Sequence, residues 1–243
     1  MSSGRRLFAQ YAHAPNALGY CGPPGSEALE AVACGSGGDV DVRAIARRFS
    51  GAWPYQELIG TLTVKDPLDH EVVRGYWTGN DLTAGLDRDV FGKALLDRLA
   101  PQAGHYWAHL TEDLLPEAAP THAFHVFGVY PWSRLLEAGP EPLHVLDSCR
   151  IGWGTVLAVE PDHLRVAARQ LEYDDRVLTL GNARERRVDR LAGGLPFIDQ
   201  VAEGDVVALH WGFACDRLTP AEATHLEDST RRQLALMAPR LAG

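Results

Sequence analysis

This 243-residue chain lacks most of the features that identify a function quickly, and each absence narrows the field. Its four cysteines, Cys21, Cys34, Cys149 and Cys215, show no CxxC spacing and no dense pattern. Neither a disulfide framework nor a zinc ribbon is indicated, and reduced thiols in the cytoplasm are the simplest expectation. Positive charge is scarce: 23 Lys and Arg against 32 Asp and Glu leave a formal charge of −9. Phosphate binding relies on Lys and Arg, so neither nucleic acid nor an anionic membrane surface is expected as partner. No apolar run approaches the roughly 20 residues of a membrane span. A glycine-rich phosphate loop, a dinucleotide fingerprint and the glutamate of an HExxH motif are also missing. Arg5 and Arg6 hint at a twin-arginine export signal, but Gln10, His13, Pro15 and Asn16 interrupt the apolar region that should follow. The opening residues are expected to belong to the folded protein.

What is present suffices for a substantial core. With 46 % hydrophobic residues the chain can form one large domain or two small ones. Two are expected, 1–140 and 141–243, divided at the turn signal GPEP over residues 139–142. In the first, residues 11–25 are dense in proline and glycine and predict a loop rather than a helix. Cys21 lies within it, where flanking glycines let the backbone approach a cofactor; a small side chain tucked under a turn fits equally well. Val42, Ile45, Ala46 and Phe49 recur at helical spacing and predict an amphipathic helix ending near Gly51, with Arg43, Arg47 and Arg48 on its solvated side. Residues 53–64 continue as a helix with Pro54 in its first turn. Asp66 and Pro67 read as the cap and first position of another, running through Val72, Val73, Tyr76 and Trp77 to Gly79. Asp87 caps a fourth, with Phe91, Leu95 and Leu99 on one face before Pro101 stops it. The first domain is therefore expected to be mostly α-helical.

Two histidine pairs follow. His105 and His109 are four apart and His122 and His125 three apart, so each pair falls on one helical face, as in helical metal sites. Packed or hydrogen-bonded histidines at a domain interface are the more common outcome of such spacing. His122 and His125 are the stronger metal candidates, because Phe124, Val126 and Phe127 give them an apolar setting that favours neutral imidazoles.

Beyond residue 142 the periodicity changes. Residues 144–159 read as extended chain, Leu164, Val166 and Ala168 alternate, residues 177–180 and 187–191 supply short strands, and 206–213 is the most apolar stretch of all. Turn signals at 160–162, 174–175, 181–182 and 203–205 separate them, which predicts a small closed β-barrel. Thr219, Pro220 and Glu222 form a capping box for a final helix, with Ala223, Leu226, Leu234 and Met237 as the face laid on the barrel. The expected class is α+β.

Cys149 at the mouth of one apolar strand and His210 near the end of another offer a soft thiolate and an imidazole, a pair suited to iron, copper or zinc. Cys149-Arg150-Ile151-Gly152-Trp153-Gly154, and later Glu203-Gly204-Asp205 with His210-Trp211-Gly212-Phe213-Ala214 before a helix, resemble the HypC/HupF hydrogenase assembly chaperones. The resemblance covers about a third of the chain, residues 149–227. It implies an OB-like barrel that carries iron with cyanide and carbon monoxide ligands, an Fe(CN)2CO fragment, toward a nickel–iron hydrogenase large subunit or another maturation protein. By the resemblance Cys149 and His210 hold the iron, with Trp153 and Gly154 beside them. Two departures stand out: Cys149 is preceded by a whole domain, and Trp153 replaces the family's proline.

Three functions remain in view. The first is a metal-cofactor chaperone of hydrogenase maturation, with Cys21, His122 or His125 lining the interface with the helical domain. The second is a thiol- or metal-dependent enzyme acting on a ligand of that cofactor, with Cys149 as nucleophile and His210 as base. The third is a protein-binding module with a vestigial barrel, in which Cys149 and His210 are core residues. Alternation along a single strand would put Cys215 on the opposite face from His210, so Cys215 is left out of the site.

Overall fold

The computed structural model describes residues 3–25, 27–99 and 110–242; His105 and His109 fall outside them. The chain is α+β, with helices first, then a five-stranded sheet and a long last helix. The helices are α1 (Ser3–Ala17), α2 (Glu27–Ala33), α3 (Val42–Ala46), α4 (Trp53–Thr63), α5 (His70–Thr78), α6 (Asp81–Ala84), α7 (Arg88–Leu99), α8 (His122–Phe124) and α9 (Pro140–Cys149). The strands are β1 (Gly152–Val159), β2 (His163–Asp174), β3 (Val177–Asp189), the two-residue pair β4 (Leu191–Ala192) and β5 (Leu195–Pro196), β6 (Val206–His210) and β7 (Phe213–Leu218). Helix α10 (Pro220–Ala242) follows. No helix among the described residues is long and apolar enough to cross a membrane.

Helix α1 occupies the centre, and it overturns the loop expected from residue 11 onward. Every residue from Leu7 to Asn16 is buried. Its buried polar residues Gln10 and Asn16 find backbone carbonyls of Phe197, Cys21 and Pro23 to bond, so the helix can be enclosed on all sides. Pro15 is accommodated near its end. The predicted helix over 42–51 shrinks to α3, capped by Asp41, whose carboxylate accepts from the Ala44 amide. Asp66 also does less than expected: it accepts from the Leu68 amide in a local turn, and α5 begins only at His70 under an Asp69 cap. Helices α4 and α7 fall where the sequence places them. Asp87 Oδ1 accepts from the Asp89 and Val90 amides at 2.9 Å each.

The stretch 144–159 is not uniformly extended. Gly139, at a φ of 134°, caps α9 and Pro140 opens it, so Cys149 ends a helix and β1 starts only at Gly152. The two strands expected at 177–180 and 187–191 are one long strand, β3, because its pairing with β2 continues through a bulge near Leu171. The apolar stretch 206–213 is instead a hairpin. His210 pairs with Phe213, and Trp211 and Gly212 both take positive φ, the geometry of a two-residue type I′ turn. The hydrogen-bonded order is β1-β2-β3-β7-β6, and β6 returns to β1, so the sheet closes on itself.

One apolar cluster runs from the helices into the sheet, joining Phe8, Tyr11 and Leu29 with Ile151, Phe197, Ala208 and Cys215. The sheet interior holds Val156, Leu164, Val166, Val188 and Val207. Helix α10 keeps its capping box, with the Thr219 amide 2.7 Å from Glu222 Oε2. It lies across β3 and also across α5 and α8, rather than on the sheet alone. These contacts bring the ends of α1, α5, α8 and α9 against the β6–β7 turn.

Candidate metal centre

At that junction a cavity of about 260 Å³ is lined by Cys21, His122, His125, Cys149 and His210, together with Tyr76, Trp77 and Trp211. Five of the residues singled out from the sequence therefore meet in one place. Trp153 and Gly154 do not line it. Gly154 sits within the sheet, where a Cβ would come within 2.5 Å of Val166 Cγ1, and Trp153 packs on the helical core with the Arg150 guanidinium 6.0 Å from its ring centroid.

Within the cavity, ligand atoms of His122, Cys149 and His210 all lie within 4.8 Å of one another, and all three residues are buried. His125 and Cys21 are not in this group. His125 stacks beside His122, with ring centroids 6.0 Å apart. Cys21 approaches from the loop after α1, which is held because the Asn16 side-chain amide donates to the carbonyls of Cys21 and Pro23.

The hydrogen bonds assign the imidazole tautomers. His210 Nδ1 lies 2.7 Å from the Tyr11 carbonyl. A carbonyl only accepts, so Nδ1 carries the hydrogen and Nε2 keeps its lone pair. That Nε2 is buried and has no hydrogen-bond partner. The Tyr11 carbonyl is available because Pro15, four residues on in α1, has no amide hydrogen to give it. His122 is bonded at both nitrogens: Nε2–H donates to the Cys149 carbonyl and Nδ1 accepts from the Tyr76 hydroxyl, each at 2.9 Å. To bind a metal it must release one of these bonds, whereas His210 releases nothing.

Burial dominates the proton affinities. It lowers His210 to about 4, opposed by the Tyr11 and Cys149 carbonyls, lowers His125 to about 4, and pushes His122 well below the ordinary histidine range, helped by the two neighbouring imidazoles. All three are neutral near pH 7. Burial also pushes the Cys149 thiol up, with nearby Cys21 adding to the rise and the Trp211 indole opposing it, and raises Cys21 to about 11. The donor set is therefore a neutral thiol and neutral imidazoles. A soft metal entering here displaces the thiol proton and meets a lone pair already aimed inward. The fit is good: an unpaired buried nitrogen costs roughly 1–3 kcal/mol, which metal coordination removes.

Several residues of this site were not anticipated from the sequence. Tyr76 and Trp77 lie on the buried face of α5 and read there simply as core. Trp211 follows His210 in the turn, and its side chain stacks on Tyr20 with centroids 3.9 Å apart. Proline inside α1 was the available signal for Tyr11, since a proline in a helix always frees the carbonyl four residues earlier. Cys215, omitted from the site, is fully buried next door and does not line the cavity. All four cysteines are free.

The fold and site define an α+β protein with a buried cysteine–histidine donor set. The chain belongs to DUF6390, a family of unknown function, which matches it over residues 1–243. No curated protein and no solved structure matches it. The match spans both the helices and the sheet.

Proposed function

We propose that the protein is a metal-cofactor chaperone of nickel–iron hydrogenase maturation, carrying as cargo an iron that bears cyanide and carbon monoxide ligands. The observation that carries this reading is the convergence of Cys149 and His210, with an unpaired Nε2, in a buried cavity far larger than a bare ion needs. The resemblance to HypC-type proteins supports it, because the two residues that such proteins would use are two of the three brought together. A closed sheet followed by a long helix is the order that the resemblance implies, an OB-like barrel with its terminal helix.

In this reading Cys149 and His210 are the principal ligands and His122 is held in reserve by Tyr76. Thiolate and imidazole are soft and borderline donors that favour iron over magnesium or calcium. The Tyr11 carbonyl fixes the His210 tautomer from behind, as second-layer partners do in metal sites generally. The apolar lining keeps water from the cargo. The client is a hydrogenase large subunit or another maturation protein, which would receive the fragment from this cavity. The enzyme reading, with Cys149 as nucleophile, is weaker: a raised thiol beside lowered imidazoles is the opposite of the thiolate–imidazolium pair that activates a cysteine.

The test is infrared spectroscopy and elemental analysis on protein purified without oxygen from its native host, beside Cys149→Ala. Stretching bands of metal-bound cyanide and carbon monoxide in the wild type, lost in the variant, are expected. Absence of both bands and iron from the wild type overturns the proposal.

A further inference from the structure

The cavity contains unpaired groups of two opposite kinds. His210 Nε2 offers a lone pair and the Trp77 indole nitrogen a hydrogen, both buried without a hydrogen-bond partner; the equally buried Trp211 indole bonds no nitrogen or oxygen and has only the Cys149 sulfur, a weak acceptor, beside it. Trp77 is 3 % exposed and Trp211 9 %, and both line the cavity. They flank the donor set from two sides. The Trp77 ring centroid lies 4.7 Å from that of His122 and 5.7 Å from that of His210. Trp211 is on the sulfur side, its backbone amide donating at 3.0 Å to the carbonyl of Ser148, the residue before Cys149.

Charge gives these hydrogens a purpose. Among the described residues lining the cavity there is no Asp, Glu, Lys or Arg. One thiolate with neutral imidazoles leaves a divalent metal a positive charge short of neutrality, in surroundings that solvate charge poorly. An anion on the metal corrects this. With no cationic side chain to attract it, such an anion has reason to enter only together with the metal.

We propose that the indole N–H groups of Trp77 and Trp211 form a subsite for the free ends of small, hydrogen-bond-accepting anions carried on the metal, so that the cavity selects an anion-bearing complex over a bare ion. This rests on the metal-binding reading above and adds the class of complex that the site takes. Metal and anion then favour each other's binding, and the coupling is reciprocal.

The experiment is a titration of the oxygen-free, metal-free full chain with Co2+, with and without azide as the anion, reading the ratio of the two dissociation constants. The wild type is expected to bind Co2+ about tenfold more tightly with azide. That ratio falls about threefold in Trp77→Phe and in Trp211→Phe, as expected for one hydrogen bond each, and approaches one in the double variant. As a measurement independent of any variant, two of the six indole N–H signals of 15N-tryptophan-labelled wild type shift with azide when Zn2+ is present and not when it is absent. An unchanged ratio in both single variants, or indole signals that ignore azide in the zinc-loaded protein, overturns the subsite. Failure of the wild type to bind Co2+, or binding that Cys149→Ala leaves intact, instead overturns the metal-binding reading and the subsite with it.

Discussion

Two polar regions meet at the end of α9, one on each side of Cys149, and they are built on opposite rules. On one side the Asp147 carboxylate is saturated: it accepts from Arg150 Nε at 3.0 Å, Arg150 Nη2 at 2.8 Å and the Leu171 amide at 2.9 Å, with Gln170 at 3.3 Å. These bonds tie α9 to β2. On the other side, in the cavity, a histidine lone pair and the Trp77 indole hydrogen have nothing to bond, and the Trp211 indole has only the Cys149 sulfur beside it. A saturated buried polar group holds a fold together, whereas unpaired ones around a cavity are costs that a ligand can remove. The difference holds between the Asp147 carboxylate and the cavity nitrogens; unpartnered buried polar atoms also occur at Arg150 Nη1 and at both side-chain ends of Gln56.

Perturbations should break the two regions in different ways. The largest effect is expected on the cavity: Cys149→Ala and His210→Ala should each weaken Co2+ binding by more than about 100-fold, since each removes a proposed metal ligand, and calorimetric or spectroscopic titration reads this directly. Thermal unfolding of the same variants should show a native transition, which distinguishes ligand loss from collapse. The scaffold should behave conversely. Asp147→Ala leaves the Arg150 guanidinium buried without its carboxylate and should cost about 3–5 kcal/mol in denaturant unfolding. A loss below about 1 kcal/mol would mean that the Asp147 bonds are not structural.

Acid should find the cavity first. His125 and His210 are held near 4 against an ordinary value of 6.5, so the unfolded chain binds more protons than the folded one between those limits. Stability is full above about pH 6.5 and falls as the pH drops toward 4, by at most ~3 kcal/mol for each imidazole. A melting temperature that stays flat from pH 7 to 4.5 would show that these imidazoles are not buried as neutral groups. The smallest effect sharpens the comparison most. Pro15→Ala supplies an amide hydrogen that competes with His210 Nδ1 for the Tyr11 carbonyl, and should weaken Co2+ binding about tenfold without reducing stability. Unchanged affinity would show that the carbonyl does not orient the imidazole.

Much of the architecture could be read in advance, and the successes share a cause. The Asp87 cap, the Thr219–Glu222 box, the turn signalled at residues 174–175 and the limits of α4 all depend on neighbours in sequence. The failures depend on distant ones. Helix α1 looked like a loop because proline and glycine are weighed locally, while its burial comes from α2, α5 and the sheet. The 206–213 stretch looked like one strand because a tryptophan at positive φ is uncommon; here the Ser148 carbonyl and the Tyr20 ring hold it there.

The same division runs through the site. The sequence by itself determined the chemistry: a thiol, imidazoles within a few residues of aromatic side chains, and two segments that single out Cys149 and His210. It also contained, in Pro15, the reason that one carbonyl of α1 would be free. Only the tertiary structure decided which of the candidates meet. It brought His122 within reach of Cys149 and His210, kept His125 and Cys21 at the rim of that group, and removed Trp153 and Gly154 into the sheet. It also supplied Tyr76, Trp77 and Trp211, whose role depends on the packing of α5, α8 and α9 around the β6–β7 turn. Donor type is a property of single residues, while coordination requires several atoms within a few ångströms of one point, and chain order does not specify that.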